Sequence, residues 1–89
     1  MPAFFLDNLG RNVIRLAGGG RVTVTNTTLH PAHVFVDVKD GGAWRPFSGR
    51  VMLEAGGCWS ASREELGHDQ IRVIAGGRSN GRHVVRVEH

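Results

Sequence analysis

Five histidines, one cysteine and two adjacent glutamates are the residues of this chain best equipped for chemistry. His30-Pro31-Ala32-His33 sets two imidazoles either side of a two-residue spacer, and a zinc site would need further ligands to converge on them. Pro31 interrupts that spacer, and His68, His83 and His89 are scattered through a separate region. Copper-binding β-sandwiches place mixed Cys, His and Met ligands together near their C-terminal end, with Met last. Here Met52 precedes Cys58, and no second ligand lies between Cys58 and His68. Nucleophilic catalysis by Cys58 with His68 and Asp69 would require the fold to bring the three together, and no strand–turn–helix elbow frames the thiol. Gly57-Cys58-Trp59 reads as a strand start after a turn, with Cys58 a small buried hydrophobe. Glu64 and Glu65 are adjacent, cannot face a common point, and suit the first turn of a helix. The sequence assigns no catalytic residue, no metal and no cofactor, and the expectation is that Cys58 is dispensable for function.

The elements that would position these side chains are strands. Glycine clusters at Gly18-Gly19-Gly20, Gly41-Gly42, Gly56-Gly57 and Gly76-Gly77 separate short apolar stretches. Glycine adopts positive φ without steric cost, so each cluster reads as a tight reversal. Between them apolar residues alternate with period two, as in Val22-Thr23-Val24-Thr25 and Val34-Phe35-Val36-Asp37-Val38, the pattern of half-buried strands. Nine strands are expected, at 3–7, 12–16, 21–26, 33–39, 43–46, 50–54, 58–62, 70–75 and 82–88. Asp7-Asn8-Leu9-Gly10 and Asp40-Gly41-Gly42 read as hairpin connections, and the stretch from Gly76 to Gly81 as a longer hairpin tip. One helical turn is expected at Ser62–Leu66, where Ser62 and Glu65 have capping-box spacing and Gly67 ends the turn. Asn26-Thr27-Thr28 matches a glycosylation sequon but reads better as the polar end of a strand. The expectation is a single all-β domain over 1–89, an antiparallel β-sandwich with at most that one helical turn.

Alternation also sorts the faces of the strands. In 33–39, Phe35 stands opposite the three valines, among His33, Asp37 and Lys39. In 70–75, Ile74 joins Arg72 opposite Ile71 and Val73, and in 82–88 Val84 joins Arg86 opposite Val85 and Val87. Phe35, Ile74 and Val84 are therefore expected to form an outward apolar patch with Arg72 and Arg86 at its rim, the anatomy of a protein interface. Arg72, Arg78, Arg82 and Arg86 would also give the C-terminal hairpin a basic surface. Nucleic-acid modules add stacking aromatics to such a surface, and residues 70–89 contain none. The remaining aromatics are assigned mostly to the core.

The 89 residues carry a net charge of +3 from ten arginines, one lysine and eight carboxylates, too little to demand a nucleic-acid partner. A single cysteine precludes an internal disulfide. No basic and apolar leader opens the sequence and no apolar run reaches the ~20 residues of a membrane-spanning helix, so the expectation is synthesis in the cytoplasm without a signal peptide and no membrane partner. The segment from Val22 to Val73 resembles bacterial immunoglobulin-like modules, through Val22-Thr23-Val24-Thr25-Asn26 and the later Val51-Met52-Leu53-Glu54-Ala55-Gly56. In size, fold type and lack of disulfides the chain also resembles small structural proteins of tailed-phage virions, the capsid decoration (cement) and tail accessory modules. The resemblance implies an immunoglobulin-like sandwich without enzymatic activity. It also implies protein subunits of a capsid or tail as partners, a homo-oligomer or array, and the virion as destination. A small basic nucleic-acid-binding module and a metal or small-ligand binder are the alternatives.

Overall fold

In the computed structural model, which describes residues 2–78 and 83–89, the chain forms eight strands and one short helix. In chain order these are β1 (Ala3–Leu6), β2 (Arg11–Arg15), β3 (Arg21–Asn26), β4 (Ala32–Asp40), β5 (Ala43–Leu53), β6 (Cys58–Ser62), α1 (Arg63–Leu66), β7 (Gln70–Gly77) and β8 (Val85–Glu88). The strands make two antiparallel four-stranded sheets, ordered β1-β8-β3-β6 and β2-β7-β4-β5. Valine is the commonest buried residue on the inner faces of both, joined in the second sheet by isoleucine, as β-branched side chains suit a pleated, buried surface. Val22, Val24, Val85 and Val87 from the first sheet meet Val34, Val36, Ile71 and Val73 from the second in one hydrophobic core. The expected all-β, antiparallel architecture is therefore present.

The connectivity has a simple rule. β1 pairs with β8, β2 with β7, β3 with β6 and β4 with β5, as if one long antiparallel ribbon had been folded at the β4–β5 turn. Two further pairings, β3–β8 and β4–β7, roll that ribbon closed. This is the eight-stranded jelly roll of two Greek keys. The resemblance to immunoglobulin modules implied a different order, in which the second strand lies beside the first. Alternation within a strand is the same in either fold, so period-two text cannot distinguish them.

The rolled ribbon also corrects the reading of the glycine clusters. Only Asp40-Gly41-Gly42 makes a hairpin, with φ of 60° at Gly41 and 87° at Gly42. The turns at Asp7–Gly10, Gly18–Gly20 and Gly56–Gly57 instead carry the chain from one sheet to the other. β7 and β8 lie in different sheets, so the expected C-terminal hairpin does not exist; Gly76 and Gly77 belong to β7, and Ser79–Arg82 lie outside the described residues. The two strands expected at 43–46 and 50–54 are one strand, β5, whose register slips opposite Phe35 and Asp37 to accommodate a bulge. The helical turn matches its expectation. Ser62 caps α1 in a reciprocal capping box with Glu65, and Gly67 closes it in the left-handed region.

Candidate protein-docking face

The outer face of the β2-β7-β4-β5 sheet is built by alternation from its strands. Val34, Val36 and Val38 turn inward from β4, which leaves His33, Phe35, Asp37 and Lys39 outside. Register then lines up whole rows across the sheet. Arg11 on β2 lies opposite Ile74 on β7, Ile74 opposite Phe35 on β4, and Phe35 opposite Arg50 on β5. An apolar pair thus sits at the sheet centre with an arginine on each side. The next row reads Val13, Arg72, Asp37 and Pro46, and on the other side of the pair lie Gly76, His33 and Met52. Val13 and Met52 are 44% and 58% exposed, so apolar surface extends from the half-buried centre to both edge strands.

Two devices hold this face in shape. Arg72 donates from Nε and Nη2 to Asp37 Oδ2, at 3.2 and 2.7 Å, and its guanidinium carbon lies 4.8 Å from the centroid of the Trp44 ring. Arg72 and Asp37 are both largely shielded, and such a charge-assisted pair backed by a cation–π contact is well fixed. At the other end His33 packs edge-on against Phe35, with ring centroids 5.7 Å apart. The His33 imidazole lies directly over Gly76, where a Cβ would strike the ring. The Gly76-Gly77 cluster, within β7, is therefore a place of close packing, not a turn.

The sequence-expected patch is only partly assembled. Phe35, Ile74 and Arg72 come together on this face as alternation required. Val84 does not: it is fully buried, as is its neighbour Val85. It precedes β8 rather than lying within it, and its N–H bonds to the Leu6 carbonyl as the chain crosses between sheets, so strand alternation does not govern it. Arg86 is on the other sheet, opposite Phe5 and Thr25, where it pairs with Glu88 at 3.5 Å. The true flanking arginines are Arg11 and Arg50. Their signal was the alternation of Arg11, Val13 and Arg15 and of Arg50 and Met52, visible in the text but uninterpretable without the sheet order.

The remaining chemistry-bearing residues are dispersed. Cys58 is exposed rather than buried, because Trp59 takes the inward position opposite Val24 and leaves Cys58 outward beside Thr25. Its separation from His68 is structural: His68 contacts the Leu66 carbonyl and Asp40 beyond the far end of β6. Among the described residues no three His, Cys, Asp or Glu side chains group as a metal site. The other aromatics are also less buried than expected, with Phe5 and Phe47 exposed and Trp44 on the outer face. No helix among the described residues is long and apolar enough to cross a membrane. Comparison with protein families, curated proteins and solved structures finds no match to the chain.

Proposed function

We propose that this chain is a non-enzymatic docking module that binds protein subunits of a larger assembly through the outer face of its β2-β7-β4-β5 sheet. The observation that carries this reading is the row Arg11–Ile74–Phe35–Arg50, an aromatic and aliphatic pair between arginines. Aromatic and arginine side chains are the residues most enriched where protein interfaces concentrate their energy. An interior of Val, Ile, Leu and Ala, with Asn26 as its one buried polar side chain among the described residues, favours a scaffold over a catalyst. Jelly rolls serve in viral capsid, lectin and cupin proteins, so the fold is compatible with a virion decoration or tail accessory role without selecting it. In that role copies would array on the assembly, each seated on a subunit, with the virion as destination.

The test is the affinity of the purified chain for its native assembly, read by co-sedimentation. Phe35→Ala is expected to weaken binding by about 2 kcal/mol, the loss typical of a central apolar anchor. Val84→Ala, a core truncation, is expected instead to lower the melting temperature of the isolated chain, at a cost of about 2 kcal/mol. If Phe35→Ala lowers the melting temperature and leaves binding unchanged, this face is not where the module docks.

A further inference from the structure

Charge is segregated on this molecule far more than its net value suggests. The outer face of the β2-β7-β4-β5 sheet carries Arg11, Arg15, Arg50, Arg72 and Lys39 against one carboxylate, Asp37. The whole chain has a net charge of only +3, so the residues named on this face carry more positive charge than the entire sequence. Asp37 is already engaged by Arg72. Arg11, Arg15 and Arg50 are exposed and have no carboxylate within 4 Å among the described residues.

We infer that the surface recognised by this face is an acidic protein surface, with an apolar side chain seated on Phe35 and Ile74 and carboxylates meeting Arg11 and Arg50. The inference rests on the docking reading above and adds the chemistry of the partner. Three observations select that occupant. Strands lie about 4.8 Å apart, so Arg11 and Arg50 stand about 14 Å from one another across the sheet. That span matches carboxylates placed on either side of a single apolar contact. The cations flanking the centre are arginines, whose planar forks pair bidentately with carboxylates. A second copy of the chain presenting the same face would set arginine against arginine, which excludes face-to-face self-pairing.

A single-stranded nucleic acid would also answer the charge, but it needs aromatic faces on which bases can stack. Both aromatic rings here are already engaged. Trp44 carries Arg72 at 4.8 Å and Lys39 at 5.8 Å from its centroid, and Phe35 is braced by His33. The centre of the face offers apolar contact without an open stacking platform.

The test uses the full chain, isotope-labelled, titrated with three probes: a short peptide alternating glutamate and leucine, the same peptide with glutamine for glutamate, and an oligothymidine of matching charge. The expected result is that the acidic peptide shifts the amides of Arg11, Phe35, Arg50 and Ile74. Arg11→Glu/Arg50→Glu should weaken that binding at least about tenfold, and the neutral peptide should bind correspondingly worse than the acidic one. Arg11→Gln/Arg50→Gln, with an unchanged melting temperature, should give a smaller loss in the same direction. If the glutamine peptide binds the same residues as well as the acidic one, the acidic partner is overturned and the docking face stands. Tighter binding of oligothymidine at these residues overturns the inference in favour of nucleic acid. If no probe shifts these residues, the docking face itself fails.

Discussion

Asn26 shows how much one side chain can hold in a chain this small. It is 1% exposed, and its Nδ2 donates to the carbonyls of His30, Leu53 and Glu54 while its Oδ1 accepts from the N–H and hydroxyl of Thr28. The amide therefore ties the loop after β3 to the end of β5, and a glycosylated Asn26 is incompatible with this packing. Asn26→Ala would strip several buried carbonyls of their donor. A loss of about 2–4 kcal/mol is expected in urea unfolding, since a buried polar group left without a partner costs about 1–3 kcal/mol. A loss below about 1 kcal/mol would mean that water replaces the amide. At this scale the sequence was readable where a residue sat inside a regular strand. Phe35 and Ile74 fell on the outer face that period two assigned them, and Asn26 ended its strand. Val84 and Cys58 were misread for opposite reasons. Val84 lies where the strand pattern does not apply, whereas Cys58 obeys alternation and is exposed by it.

Elements were legible where local chemistry alone decides them, as in α1, whose capping box and terminal glycine are both written in the six residues from Ser62 to Gly67. Tertiary pairing was not. The glycine text of a hairpin and of a sheet-crossing turn is the same, and which one forms depends on partners far away in the chain. The β4–β5 hairpin illustrates a tertiary restraint on an element that looks purely local. Asp40 at its tip accepts from Arg45 Nη1 at 2.6 Å and lies 3.6 Å from His68, beyond α1. The Arg45 hydrogen bond first, and His68 second, hold the Asp40 carboxyl below its ordinary value of 3.8. Because the folded value is the lower one, the contribution is present above the unfolded value and disappears as pH falls toward the folded value. Asp40→Asn is thus expected to lower the melting temperature slightly near neutral pH, by an amount that shrinks below about pH 4. Glu65, held low by the Ser62 N–H and hydroxyl, acts with the same sign and should persist in that variant. A melting difference independent of pH would show that the Asp40 carboxylate is not what restrains the hairpin.

For the molecule as a whole, two sheets, one core and the antiparallel sense could be read from composition and alternation, while the jelly-roll order could not. Order builds the proposed docking face, since it is what brings Arg11 of β2 and Arg50 of β5 onto one face with Phe35 and Ile74 between them. A basic face on a nearly neutral chain also means that assembly should be sensitive to ionic strength while the fold is not, because exposed charges are screened over roughly 8 Å at physiological salt.

The nested pairing of the ribbon prescribes an order of folding. β4 and β5 are joined by two glycines, whereas the pairing of Leu6 with Val85 must close a loop of about 80 residues. Closed directly, the longer loop costs about 3 kcal/mol more in chain entropy. Once β4–β5 has formed, β3–β6, then β2–β7, then β1–β8 each need only a short further closure, so the ribbon should zip from its middle toward its ends. Native-state hydrogen exchange should then find β1 and β8 opening at the lowest free energy and β4 opening only with global unfolding. Equal protection of β1 and β4 would contradict this. Pro2 and His89 meet through a 3.1 Å hydrogen bond, so this last seam to close and first to part is where anything covalently continuing from either end would pull.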